Sequence, residues 1–359
     1  MVLKEVSYTN FRNIGRAELS FEPGVNVLYG ENAQGKTNAL EGIYLCAQGR
    51  SHRTAHEKDY IGYGQDFAKV GLIFEDRVRR QELELRYLAN GRKYCKKNGL
   101  PLRKMSEFIG NFRAVIFCPE HLAIVKEGPG ERRNYLDAAL CQTDARYLSE
   151  LQDYALALRQ RNALIAGWAQ DQRLFAETQE FFARQMAKSS AILSQKRAEY
   201  VEKADRIVSE IFADMTGGGE RPQLRYRKQC TEEELLKLYL NDWQKEIRAG
   251  TSLYGVHKDD IEILLNDRPA RVFASQGQQK SIAVALKLTE GLLSKEKTGE
   301  YPVFLLDDVL SELDAKRQQF VLGGLENKQV IITCCDRSAL KNMKGRVILV
   351  ENGRYQTVR

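Results

Sequence analysis

The sequence predicts an α/β fold: a mixed sheet assembled from the two ends of the chain, interrupted by an inserted α-helical lobe. Three observations carry that expectation. The apolar run Val25–Tyr29 leads through Gly30-Glu31-Asn32-Ala33-Gln34-Gly35-Lys36-Thr37 into residues 38–45, which have helical spacing. A second apolar run, Val303–Leu306, ends in Asp307-Asp308. Between these ends, from about residue 130, the texture changes to long helical periodicity.

Residues 2–9 alternate as a half-buried strand does, with Val2, Lys4, Val6 and Tyr8 set against Leu3, Glu5, Ser7 and Thr9. A second strand-like run covers 17–21, and Pro23-Gly24 turns the chain into the strand before the glycine-rich loop. Residues 68–75 and 81–88 read as a mixed or antiparallel extension beside a parallel sheet. From Gly91 to Lys104 the chain carries Arg92, Lys93, Lys96, Lys97, Arg103 and Lys104 without an acid, around an Asn98-Gly99 turn signal. Such a hairpin suits a nucleic-acid backbone and a plain solvated surface equally, and the residues leave both open. Val115-Ile116-Phe117 reads as a buried strand ended by Pro119.

In the central region Leu148, Leu151, Ala155, Leu158, Asn162 and Ile165 recur in steps of three and four. After a break at Gly167, a second run extends over 175–215 with Ala204, Ile207, Ile211 and Met215 in register. The two are expected to pair as an antiparallel hairpin with arms of about 35–40 residues, roughly 50–60 Å long. A further helix covers 231–248, and apolar strands are expected at 261–265, 330–333 and 346–350, the last turning at Asn352-Gly353. The expected division is 1–125 and 251–359 for the two halves of the sheet domain and 126–250 for the lobe.

Composition narrows the class. Hydrophobic residues make up 43% and charged residues 29%, which excludes a disordered chain. No apolar run is long enough to cross a membrane, and the charged start is unlike a secretory signal, so a cytoplasmic protein with no membrane partner is expected. The seven scattered cysteines form no C-x-x-C pair, which argues against zinc and disulfides and for a reducing compartment. A net charge of +7 leans toward an anionic partner.

The motifs supply the chemistry. The two glycines let the backbone of residues 30–37 curl so that successive N–H groups face a phosphate chain, and the following helix adds its positive end. Lys36 can reach the β and γ phosphates, and the Thr37 hydroxyl can ligate Mg²⁺. Carboxylates at a strand's carboxyl end sit where α/β sheets bind ligands. Asp307 is therefore expected to hold Mg²⁺ through water, and Asp308 to orient or deprotonate the attacking water. Ser275-Gln276-Gly277-Gln278 opens a helix and makes a second anion-binding terminus. One triphosphate seldom needs two such termini from one chain, so Ser275 is expected to address a nucleotide held by a second copy.

The loop 30–37, Ser275-Gln276-Gly277-Gln278, Asp307-Asp308 and Ser311-Glu312-Leu313-Asp314 resemble the head domain of SMC-like ABC-type ATPases. Within that branch the chain is similar to the RecF family of bacterial recombination mediators. Asn10-Phe11-Arg12-Asn13, Ser51-His52-Arg53-Thr54, Phe117-Cys118-Pro119-Glu120-His121-Leu122, Gly128-Pro129 with Glu131-Arg132-Arg133 and Leu136-Asp137, and His257-Lys258-Asp259-Asp260 carry that likeness. The resemblance implies ATP and Mg²⁺ as cofactors, an ATP-dependent homodimer, slow hydrolysis, and binding to single- and double-stranded DNA at gaps. It also implies action with RecO and RecR in loading RecA for recombinational repair and replication restart. Residues 30–37 would hold the phosphates, Lys36 and Asp308 would serve catalysis, and Thr37 and Asp307 the metal. Ser275, Gly277 and Gln278 would approach the partner's γ-phosphate.

Some positions depart from the wider pattern, among them His52, where the family tends to have an aromatic, and no glutamine stands at an obvious Q-loop. Asp308 replaces the usual glutamate, one methylene shorter, in keeping with slow turnover. The switch position after the strand 330–333 is Cys335, whose thiol is a weak donor. His257 is expected to make structural hydrogen bonds. The competing readings are an ABC-type head of a transport system and a structural clamp that binds ATP without useful hydrolysis.

Overall fold

A computed structural model describes residues 1–335 and 345–358. The chain divides into two units: Met1–Leu122 with Met215–Gly217 and Lys280–Arg359, and Ala123–Asp214 with Gly218–Gln279.

Among the described residues the first unit contains two six-stranded sheets. One is antiparallel throughout, ordered Ile14–Ser20, Val2–Phe11, Phe67–Glu75, Arg80–Leu88, Lys93–Lys97 and Leu100–Leu102. The other is mixed, ordered Arg354–Thr357, Arg346–Glu351, Val25–Tyr29, Val330–Cys334, Val303–Leu306 and Ala114–Phe117. Its strands are parallel except for the terminal hairpin. Val303–Leu306 and Ala114–Phe117 are buried at every residue, which is why they read as unbroken apolar runs.

The helix Lys36–Gln48 is buried at most of its positions, because residues of both sheets pack around it in one core that includes Tyr8, Phe11, Leu40, Ile43, Val70 and Ile116. A second core, with Phe117, Val284, Phe304, Leu306 and Val321, involves the mixed sheet's other face. The N-terminal strand departs from simple alternation. A register shift between Leu3 and Glu5 lets Leu3 join Val6 and Tyr8 in the core, where strict period-two spacing would set it opposite.

The second unit is mainly helical. Ala145–Ala166 and Gln172–Thr216 are its long helices, of 22 and 45 residues, so the paired arms are unequal rather than matched. At 1.5 Å per residue they measure roughly 33 and 68 Å. They run antiparallel: Asp144 pairs with Lys196, Tyr147 with Arg197 and Glu150 with Ser189. The buried stripe of the first is Tyr147, Tyr154, Ala157, Arg161 and Ile165, with Leu148 beside it, while Ala155 is exposed. On the second it is Val201, Ala204, Val208, Phe212 and Met215, with Ile207 and Ile211 at its margin. A seven-residue repeat drifts around a 3.6-residue helix, and tyrosines and arginines that bury with partners escape an apolar count.

The expected helix over 231–248 is two, Glu232–Asn241 and Trp243–Ala249, separated at Asp242. A three-stranded antiparallel sheet completes the unit, ordered Arg268–Pro269, Asp260–Leu265 and Pro222–Arg227.

Candidate phosphate-binding site

The strand Val25–Tyr29 stops before Gly30, and the chain returns as the helix Lys36–Gln48. Gly35 takes a φ of +112°, which a side chain would strain. The Lys36 ammonium is buried and donates to the carbonyls of Gly30 at 2.7 Å and Glu31 at 2.6 Å, spanning the loop's first turn.

Asp307, 270 positions further along the chain, lies at the same place. The Thr37 hydroxyl donates to its Oδ1 at 3.0 Å. Thr333 Oγ1 donates to that oxygen at 2.8 Å and accepts the Asp308 N–H at 2.8 Å. Burial raises the Asp307 pKa, and the Thr333 and Thr37 hydroxyls act against it. A hydroxyl and a carboxylate 3.0 Å apart at a helix N-terminus are hard oxygen donors that suit Mg²⁺. Asp308 is exposed with a φ of +52°, and its carbonyl accepts the Ser311 hydroxyl at 2.6 Å. An exposed carboxylate beside such a pair has the chemistry to orient a water.

Sequence reasoning passed over Glu41, on the phosphate-loop helix. Its carboxylate is fully buried and accepts two bonds from Arg12, at 2.6 and 3.0 Å, and one from Arg53 at 3.2 Å. Burial alone would raise its pKa, but hydrogen bonds from Arg12 and Ser51 and two guanidinium charges bring it below the usual value. Arg12 and Arg53 stand in motifs already noted, yet only the fold joins them at Glu41. Arg53 also donates to Asn38, next to Thr37, at 2.8 Å. Cys335 donates its thiol to the Asn32 side chain at 2.9 Å, so the residue after the strand Val330–Cys334 touches the loop 30–37.

Ser275, Gly277 and Gln278 belong to the second unit. Ser275 is exposed and closes a reciprocal cap: its hydroxyl accepts the Gln278 N–H at 3.3 Å, and the Gln278 side chain accepts the Ser275 N–H at 2.6 Å. The Gln278 amide nitrogen donates to Glu220. Gln278 therefore shapes the helix start, Ser275 is exposed, and Gly277 is half-buried.

The basic hairpin is less positive than its sequence. Lys96 faces Glu84 across the sheet and pairs with it at 3.3 Å, Lys93 pairs with Glu57 at 2.7 Å, and Lys97 donates to Asn111 at 2.5 Å. Arg92, Arg103 and Lys104 are exposed.

A phosphate loop, a strand-end carboxylate joined to it and a mixed sheet packed with an antiparallel one define an SMC-like ABC-type ATPase head. Residues 2–357 match the RecF/RecN/SMC N terminal domain family. The DNA replication and repair protein RecF of Acetivibrio thermocellus is 36% identical over 99% of both chains, and that of Ligilactobacillus salivarius 36% over 99% of this chain and 97% of its own. A solved structure of the recombination mediator protein RecF with ATP, in the RecFOR pathway, superposes with a TM-score of 0.91 at 32% identity, covering 100% of this chain and 98% of that one. The Smc head of Pyrococcus furiosus, at 17% identity and a TM-score of 0.56, shares the fold alone. The chain belongs to the RecF family. No described helix is long and apolar enough to cross a membrane.

Proposed function

We propose that this protein is an ATP-gated DNA-binding repair factor whose nucleotide closes two copies on DNA. The observation that carries the reading is the 3.0 Å bond between Thr37 and Asp307, which joins a phosphate loop to a strand-end acid. Residues 30–37 would receive the triphosphate, with Lys36 exchanging its loop carbonyls for the β and γ phosphates. Thr37 and Asp307 would hold Mg²⁺, which neutralises charge on the transferred phosphoryl group. Asp308 would hold the water in line, and Cys335 would sense the γ-phosphate side through Asn32. Ser275 and Gly277, at an exposed helix start, would approach the γ-phosphate held by the other copy.

The family likeness supports the biological setting: gapped DNA with single- and double-stranded arms, cytoplasmic action with RecO and RecR, and loading of RecA. Arg92, Arg103 and Lys104 are the hairpin cations best placed to meet DNA phosphates, since Lys93, Lys96 and Lys97 have partners. Fluorescence anisotropy with gapped duplex, plain duplex and single strands tests the reading. Binding should require ATP with Mg²⁺ and be tightest on the gapped duplex. Equal binding without nucleotide would contradict it.

A further inference from the structure

The C-terminal hairpin, Arg346–Glu351 and Arg354–Thr357, turns at Asn352-Gly353 beside the phosphate loop. The Gly353 N–H donates to the Gln34 carbonyl at 2.9 Å. The Asn352 N–H donates to the Gln34 side-chain oxygen at 2.6 Å, and the Tyr355 hydroxyl to the Gly35 carbonyl at 3.0 Å. From the other end of the chain, Asn13 Nδ2 donates to the Ala33 carbonyl at 3.4 Å and Asn13 Oδ1 accepts from Asn38 at 2.8 Å. Three consecutive loop carbonyls, of residues 33, 34 and 35, are thus held from outside the loop; that of Gly35 also accepts the helical Ala39 N–H at 3.0 Å, so Tyr355 adds a second hold there.

A trans peptide is planar, with its C=O and N–H pointing opposite ways. Holding the carbonyl of Ala33 aims the N–H of Gln34, and likewise the carbonyl of Gln34 aims Gly35 and that of Gly35 aims Lys36. Those are the N–H groups a phosphate chain requires. Without an external hold, a loop that is free to turn its peptides would lose entropy when it ordered around a ligand. Gly353 makes the approach possible: it has a φ of +71°, and a Cβ there would meet the Asn13 carbonyl at 2.8 Å.

We infer that the C-terminal hairpin is a strap that preorganises the phosphate loop for a nucleoside triphosphate, with Tyr355 as its positioning residue. The inference rests on the nucleotide reading above and adds its control: affinity is set partly from the far end of the chain, by residues that touch no phosphate.

The test compares wild type, Tyr355→Phe and Gln356→Ala, the last on the same hairpin without a bond to the loop. Binding of a fluorescent ATP analogue with Mg²⁺ is measured alongside amide hydrogen exchange of Asn352 and Gly353, whose N–H groups are bonded to Gln34, in nucleotide-free protein. Tyr355→Phe keeps the ring and loses one hydrogen bond, so affinity should fall about three- to tenfold. Exchange at Asn352 and Gly353 should quicken while the thermal midpoint stays close to wild type. Gln356→Ala should match wild type in all three. Unchanged affinity and exchange in Tyr355→Phe would overturn the strap. A wild-type protein that binds no ATP analogue would overturn the nucleotide reading itself, and the two failures are distinguishable.

Discussion

In the first unit the groups with chemistry to offer end strands or open helices, and part of them stays reachable: Asp308 and residues 31–33 of the loop are exposed. In the second unit, motifs just as rich in charge are consumed internally. Asp259 accepts from Ser194, Tyr226 and the Gln229 N–H, and Asp260 is gripped twice by Arg132. His257 uses both ring nitrogens, on Tyr154 at 2.5 Å and on the Ser252 carbonyl at 3.2 Å. Arg161 and Glu246 meet with neither exposed at all. His257, Asp259 and Asp260 therefore form a brace, whereas Asp308 stays exposed at its strand's carboxyl end. Charge in a motif says little until its partners are counted.

The comparison is broken most severely by attacking the brace. Arg161→Ala would strand the Glu246 carboxylate in the interior and should cost about 3–5 kcal/mol, read from chemical denaturation, with nucleotide affinity of the folded protein retained. Lys36→Ala should do the reverse. Affinity should drop on the order of a hundredfold, roughly the loss of a strong charge-assisted contact, while the two loop carbonyls left without their donor cost a smaller amount, about 1–2 kcal/mol, in denaturation.

Acid sharpens the contrast next. Burial lowers the pKa of both His52, in the first unit, and His257, in the second, to about 4. Each stays neutral when folded but takes a proton near pH 6.5 when unfolded, so its stabilising effect is complete above that pH and fades as pH falls toward 4. The loss should be about 3 kcal/mol for each by pH 4, and His257→Asn should flatten its share of the slope. Glu41 adds a later acid loss, below the usual carboxylate range, because its pKa is lowered. The smallest effect concerns the hairpin. Reversing charge at Arg92, Arg103 and Lys104 should weaken DNA binding and lessen its salt dependence more than reversal at Lys93 and Lys96.

Much of the first unit was legible. The phosphate loop, the strand before Asp307 and the buried parallel strands have local signatures, because their function fixes residue type and spacing together. What escaped was set by distant partners. Glu41 looked like an ordinary helix glutamate until Arg12 and Arg53 arrived from two other segments. Lys96 looked free because Glu84 lies on the neighbouring strand. In the second unit the stripe chosen by apolar spacing missed Tyr147, Tyr154 and Arg161, since polar side chains fill the core there once hydrogen-bonded.

The central claim is that a nucleotide bound by one copy is completed by Ser275 of another. Light scattering of the purified protein, with and without ATP and Mg²⁺, tests it most directly. The account predicts that wild type doubles its molar mass on adding ATP, while Ser275→Arg binds ATP and remains monomeric. A Ser275→Arg protein that binds ATP and doubles its mass as wild type does would contradict it.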